Sequence, residues 1–287
     1  GYVLLQGHLD GWFEAAADNG GGAAAVLAAA ERLAGDSGRG LLVALYDAEE
    51  WGLRGSKVLA EDLASPTGLG AGPCGRTVRL DDIVAVVNLD APSAPASDVL
   101  GGVPPPLDEL ANLVSYRVLV FSEEPTVTAL LTTTSFANGV LGLPIPVAVA
   151  DPLNGGVSRT DVRWFHEAGI PAAWPVVGYP EYHTTADTLE VVDPADLERV
   201  TAGAVDLVRA LSTASIGRLP GSTLAAPGAS APPPCPTPVG TAPLEDAAAE
   251  LPATGSDDRA QLATATVLAA VLAALAFSRR RGAGRAR

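Results

Sequence analysis

YVLLQGHLD (2–10), LLVALYDAEE (41–50) and IVAVVNLD (83–90) share one pattern: an apolar run that stops at side chains able to bind metal or move protons. Apolar runs with so few polar interruptions suit strands buried on both faces, as in a parallel sheet covered by helices. Helix-forming stretches alternate with them. These are GGAAAVLAAAERLA (21–34), DVRWFHEAG (161–169) and PADLERVTAGAVDLVRAL (194–211), the last with Asp193 as N-cap and Pro194 at its start. AAWPVVG (172–178) reads as an edge strand, because Pro175 has no N–H to give to a ladder. The alternation predicts an α/β fold in three layers, α/β/α, around a central, mainly parallel mixed sheet. Sites in such sheets form beyond the carboxyl ends of the strands. His8, Asp10, Glu49, Glu50 and Asp90 stand there, with Asp18 and Asn19 before the first helix and His183 and Asp187 in YHTTADT (182–188).

With 287 residues, 48% of them hydrophobic, the chain can bury one sizeable core and carry a tail. Its net charge is −15, although Arg279, Arg280, Arg281, Arg285 and Arg287 crowd the C-terminal end. The rest is therefore more acidic still, and such a surface repels nucleic acid. Cys74 and Cys235 lack zinc-type spacing, and a disulfide between them stays open. Met is absent and the chain starts inside an apolar run, so residues including a signal peptide are expected before Gly1. Gly20, Gly21 and Gly22 belong to no phosphate-loop pattern, and read as letting a helix start close to Asp18. His166 reads as a packed or surface residue of a helix.

Three zones follow: a globular domain over 1–214, a Pro/Ala-rich linker over 215–250, and a terminal segment over 251–287. Within the first, residues 91–157 are less regular. They hold PPP at 104–106, a helix-like DELANLVSYRVLVF (108–121) and a Thr-rich stretch around 126–136, and they read as an insertion over the site. The terminal segment runs from LPATG (251–255) through an apolar stretch at 260–277 to SRRRGAGRAR, an order that resembles the cell-wall sorting signal of Gram-positive bacteria. That resemblance implies cleavage by a sortase between Thr254 and Gly255, with Thr254 joined to cell-wall peptidoglycan. The apolar stretch would be about 27 Å long as a helix, enough to cross a bilayer transiently, with the Arg cluster left inside. A permanent tail anchor is the alternative. Either way the protein is expected outside the cell.

Singly, each ligand-type residue has an ordinary reading as a solvated acid, a helix cap or a hydrogen-bonded His. Together they conflict with it. Several carboxylates ending apolar runs are costly to bury unless cations neutralise them. Two divalent ions would do so, and two His with three carboxylates make a mixed N/O set that suits zinc. Adjacent Glu residues point different ways. One can bind metal while the other shuttles a proton between the attacking water, whose pKa a bound ion lowers to about 7, and the leaving amine.

In order, HLD, DN, DAEEWGLRGS, NLD, SRTDVRWFHEAGIPA and YHTTADT resemble the co-catalytic zinc aminopeptidases, from residue 1 to about 211. That family includes secreted bacterial leucyl-type aminopeptidases, glutamate carboxypeptidase and the transferrin receptor ectodomain. The resemblance implies two zinc ions: His8 and Asp90 on one, Glu50 and His183 on the other, Asp18 bridging. It implies that Asp10 orients the His8 ring, Glu49 is the general base and acid, and Tyr182 stabilises the oxyanion. Arg159 matches an arginine near the substrate, and Asp161 a family acid. The chain departs from the family at Thr160-Asp161-Val162, where Ser-Asp-His is common, and at Ala91-Pro92-Ser93. The expected function is removal of N-terminal residues from peptides. Alternatives are a carboxypeptidase or dipeptidase, a glutaminyl-cyclase-like enzyme with one zinc, and a non-catalytic surface receptor.

Overall fold

Along strand β1 (Tyr2–His8) the side chains alternate between two apolar clusters, Val3 and Leu5 entering one and Tyr2 and Leu4 the other, and all four are buried. That is the two-faced burial expected of a strand inside a helix-covered sheet. The computed structural model describes residues 1–36, 38–70, 77–93, 116–133, 141–148 and 160–225. All of them belong to one compact unit, Gly1–Pro232. The other strands are β2 (Gly40–Tyr46), β3 (Ile83–Asn88), β4 (Tyr116–Phe121), β5 (Leu143–Pro146) and β6 (Ala172–Gly178). They form one six-stranded sheet in the order β2-β1-β3-β6-β4-β5. Every pairing is parallel except β4 with β6.

The helices are α1 (Gly22–Leu33), α2 (Arg54–Ala64), α3 (Pro125–Thr133), α4 (Arg163–Glu167) and α5 (Pro194–Thr213). Helices α1, α3 and α5 cover the Val3/Leu5 face through Val26 and Ala29, Val127 and Leu131, and Ala204 and Leu207. Helices α2 and α4 cover the opposite face through Leu63 and Phe165. The result is the three-layer α/β/α arrangement around a mainly parallel mixed sheet. Helix α5 begins where its cap requires, the Asp193 carboxylate accepting the Ala195 N–H at 2.8 Å.

Three expectations change. Strand β6 is interior, between β3 and β4, not an edge. Pro175 is tolerated because the Ser122 N–H donates to Ala172 O, so alternate residues from Ala172 onward bond β4 and Pro175 turns its nitrogen to the other side. On that side β3 pairs only with Ala172 and Ala173, so no ladder bond is lost. Residues 116–121 of the helix-like stretch form β4, because pairing with two strands outweighs local propensity. The domain also continues past 214. Ile216 is buried, the Leu219 N–H donates to Gly169 O at 2.9 Å, and Arg218 donates to Asp81 O at 2.7 Å. The linker-like composition starts only beyond these side chains. The sorting signal, its apolar stretch and both cysteines lie outside the described residues, as does most of 91–157. Among the described residues no helix is long and apolar enough to cross a membrane.

Strand β4 is tied to α5 by a buried ion pair. Arg117 donates to both Asp196 oxygens, at 2.7 and 3.2 Å, and to Pro92 O at 2.8 Å, while Arg199 also donates to Asp196. Burial pushes the Asp196 carboxyl up, but Arg117 and Arg199 prevail and hold it below the usual range. Its stabilisation is therefore present above the ordinary carboxylate pKa of about 3.9 and is lost as pH falls through the lower folded value. We expect Asp196→Ala, which strands a buried guanidinium, to cost about 3–5 kcal/mol in urea unfolding at neutral pH. A cost near that of an exposed pair would show that Arg117 finds other partners.

Candidate metal centre

Strands β1, β2, β3 and β6 run parallel, so their carboxyl ends meet on one rim. Strand β1 ends at His8, β2 leads to Glu49 and Glu50, β3 to Asp90, and β6 to Tyr182 and His183. The loops that make these turns are strained: Phe13, Ala15, Ala48, Ala91 and His183 all have positive φ. Non-glycine residues hold that conformation only where the surroundings fix it, and such residues gather at functional sites.

Three side chains do the fixing, Asn19 and Asp187 buried and Asp10 half-buried. Asn19 donates to Leu89 O at 2.9 Å and to His8 O at 3.3 Å and accepts the Ala91 N–H at 3.0 Å, joining the ends of β1 and β3. A side chain at Gly22 would run into Asn19 and Leu89 O, which is why a glycine opens α1. Asp10 accepts the N–H groups of Glu49 and Glu50 at 3.0 and 3.2 Å. Asp187 accepts those of Ala17 and Asp18 at 2.8 and 3.1 Å. Beneath the rim a buried polar chain crosses the sheet, from Tyr46 through Gln6 and Asn88 to Thr160.

These supports bring the expected ligands together. His8 Nε2 lies 3.3 Å from Asp90 Oδ1 and 3.4 Å from Asp18 Oδ1. His183 Nε2 lies 3.2 Å from Asp18 Oδ2 and 3.0 Å from Glu50 Oε2. The two oxygens of Asp18 thus face two different histidines. Glu49 groups with His8 and Asp90, and Asp18 with Glu50 and His183, each set having ligand atoms within 4.8 Å of one another.

The electrostatics follow from crowding. Burial, then the Asp90 charge, pushes the Glu49 carboxyl up to about 9. Burial raises Asp18 to about 7 against the pull of His8. Burial also pushes Asp90 up, but His8 prevails and lowers it. Burial alone would lower His8, yet Asp90, Asp10 and Asp18 raise it strongly.

The donor set fits zinc. Asp18 Oδ2 and Glu50 Oε1 are buried and accept no hydrogen bond, a costly state that a cation would relieve. Two ligands held tetrahedrally at about 2.0–2.1 Å from one zinc stand about 3.3–3.4 Å apart, close to the separations within each group. His8, Asp90 and one Asp18 oxygen could hold one ion, and Glu50, His183 and the other Asp18 oxygen a second.

One expected contact differs. The His8 Nδ1 partner is the Asp10 backbone carbonyl at 2.9 Å, while the Asp10 carboxylate is 3.6 Å away and is engaged by the Glu49–Glu50 turn. Asp10 therefore orients the ring through its main chain. Tyr182 stacks on the His183 ring at 3.8 Å, with its hydroxyl pKa pushed up by burial and the Asp18 charge. Asp161 is fully buried, and burial raises its carboxyl to about 7 against the Ser56 hydroxyl. Val162 is also fully buried, so the departure from Ser-Asp-His at this position serves the core. His166 is packed, with Nδ1 on Ser122 Oγ at 2.9 Å. Arg159, Thr254 and Gly255 lie outside the described residues.

Sequence reasoning missed Trp12, whose indole N–H donates to Glu50 Oε2 at 2.8 Å and whose ring lies 6.3 Å from that of His183. Its signal was an aromatic residue two positions after Asp10. Asn19 and Asp187 were noticed only as ligand types, because their backbone partners are distant in sequence.

Residues 1–208 match the description "Peptidase family M28", and the chain belongs to that family. No curated protein matches it by sequence. Among solved structures it is similar to the gamma-secretase component Nicastrin, at 15% identity and TM-score 0.51, covering 76% of this chain and 41% of that one. It is also similar to the LapA aminopeptidase of Legionella pneumophila, at 17% identity and TM-score 0.50, covering 74% and 52% respectively. The chain thus spans about half the length of these structures or less, and the likeness is one of fold.

Metal binding should be linked to protons. A ligand carboxyl raised to about 7 must lose its proton when a cation binds. We expect zinc binding at pH 6 to release protons and to weaken as pH falls below about 7. Calorimetry in two buffers of different ionisation enthalpy measures the release. Its absence at pH 6 would show that the carboxyls are ionised without metal.

Proposed function

We propose that the protein is a secreted, wall-anchored dizinc metallopeptidase that removes N-terminal residues from peptides. The observation that supports it most is the placement of Asp18, with one oxygen 3.4 Å from His8 Nε2 and the other 3.2 Å from His183 Nε2. One carboxylate so placed suits a bridge between two ions. Zinc, when bound, supplies the charge that acidifies the attacking water and polarises the scissile carbonyl.

The chain's own groups do the rest. Glu49 sits beside His8 and Asp90. A nearby cation would draw its raised pKa down, making it fit to take a proton from the attacking water and give it to the leaving amine. Tyr182 keeps its phenol protonated, and so can donate to the oxyanion of the tetrahedral intermediate. The surrounding acids favour a free, cationic peptide N-terminus.

The test is a panel of unblocked and N-acetylated peptides with zinc added or chelated. Unblocked peptides should be cleaved and acetylated ones spared. Equal rates would indicate an endopeptidase or carboxypeptidase, cyclised N-terminal glutamine a cyclase, and binding without turnover a receptor. Glu49→Gln should keep its zinc and lose about 10²–10⁴-fold in kcat, whereas Glu50→Ala should weaken zinc binding and activity together. If Glu49→Gln loses zinc and Glu50→Ala keeps it, the two roles are exchanged.

The wall address rests on LPATG at 251–255, the apolar stretch and the terminal arginines. Mass spectrometry of cell-wall digests should find Thr254 joined to peptidoglycan peptide. Intact residues 256–287 recovered from membranes would indicate a tail anchor instead.

A further inference from the structure

Asp187 is among the most thoroughly bonded carboxylates of the described residues, yet it belongs to neither ligand group. It is buried, with Oδ1 accepting the Ala17 N–H at 2.8 Å and Oδ2 accepting both the Asp18 N–H at 3.1 Å and the Tyr179 hydroxyl at 2.9 Å. Its own carbonyl accepts the Ala16 N–H at 3.2 Å. These bonds join two loops that come from distant parts of the chain. One carries Asp18; the other carries His183, four positions before Asp187.

We infer that Asp187 is a positioning residue that sets the metal position formed by Asp18, Glu50 and His183, and that it is not itself a ligand. The inference rests on the two-ion reading above. Both Asp187 oxygens are already engaged by donors, which leaves them poorly placed for a cation. Two of those donors are backbone groups next to or within Asp18, so the carboxylate fixes where the Asp18 side chain starts. The Tyr179 bond fixes the other loop, in which His183 holds positive φ. The 3.2 Å between Asp18 Oδ2 and His183 Nε2 thus depends on one buried carboxylate. The position of His8 and Asp90 depends on it less: it shares Asp18, but Asn19 fastens the ends of the strands that carry its other two residues.

Charge and geometry both matter here. In Asp187→Asn one oxygen becomes an amide that can only donate, and each side of the carboxylate faces donors. A donor would meet a donor on either rotamer, and the two loops would separate. Hydrogen-bonded neighbours of metal ligands typically carry about 10–100-fold in metal affinity, and that loss should fall mainly on one ion.

The experiment is zinc titration of the wild-type full chain, Asp187→Asn, Tyr179→Phe and Glu50→Ala, read by calorimetry and by tryptophan fluorescence. Trp12 touches Glu50 and lies beside His183, so its emission reports on the affected position. Asp187→Asn should bind the ion at Asp18, Glu50 and His183 about 10–100-fold more weakly, and the other, which shares only Asp18 with it, with a clearly smaller loss. The ion it holds better should match the one retained by Glu50→Ala. Tyr179→Phe, which keeps both backbone bonds, should weaken the same ion by less. Two ions held at wild-type affinity in Asp187→Asn overturn the inference while leaving the two-ion reading intact. Equal weakening of both ions also overturns it. A wild type that binds no zinc overturns both readings. Should Asp187→Asn fail to fold, Tyr179→Phe decides: selective weakening of that ion supports the inference, and unchanged binding of both overturns it.

Discussion

Asp18, Glu49, Glu50 and Asp90 converge on two histidines at one end of the sheet, and Asp161 is buried close by. So many carboxylates cannot all be ionised in a buried setting without cations. The pKa of Asp18 and that of Glu49 are pushed up accordingly, and one buried oxygen each of Asp18 and Glu50 accepts no hydrogen bond. Folding alone would not select this arrangement, because apolar residues of similar size would be as stable or more so. The conflict is relieved if charge is brought in from outside. The other features of the rim follow from keeping these acids in place in the meantime.

The sheet does the coarse positioning. Four parallel strands deliver their carboxyl ends to one rim, and two strands of opposite direction, β4 and β5, close the far side. The fine positioning is left to hydrogen bonds, and each delivering loop contains a residue in the left-handed region. Loops of that conformation relax unless held. Asn19, Asp10 and Asp187 each accept or donate across a gap that the sheet leaves open. Arg117 extends the scheme outward by binding Pro92 O, two residues beyond Asp90. The ion pair that secures β4 to α5 therefore also secures one side of the metal rim.

The ligand-bearing ends were legible in the sequence because each is an interruption of an apolar run, and interruption is a local signal. The three layers were legible for the same reason. Two kinds of feature were hidden. Strand β6 looked like an edge because Pro175 lacks an N–H, and only the register with β4 shows that this N–H would have faced an unpaired side. The stretch containing β4 looked helical because its neighbours in the sheet lie far away in sequence. Asn19 and Asp187 looked like spare ligands because their partners are backbone groups, which leave no mark on composition. What one sequence displays is the identity of the groups that end a strand, and what it conceals is the reach of the groups that hold those ends.

Asp10 shows how these two levels meet. Its carboxylate accepts the N–H groups of Glu49 and Glu50, one oxygen to each, while its carbonyl accepts His8 Nδ1. One residue thus sets the first histidine and both glutamates. Successive residues then send their side chains to different places: Glu50 toward His183, with Trp12 on its Oε2, and Glu49 toward His8 and Asp90. The divergence suits one glutamate for holding charge and the other for moving protons, and the shared clamp keeps their spacing constant. A change at Asp10 would therefore disturb His8, Glu49 and Glu50 together, whereas a change at Asp187 would act on Asp18 and His183. The rim is built as two halves joined at Asp18 and at the Asp10 clamp, each with a fastening of its own, so that a change in one fastening is felt unequally by the two.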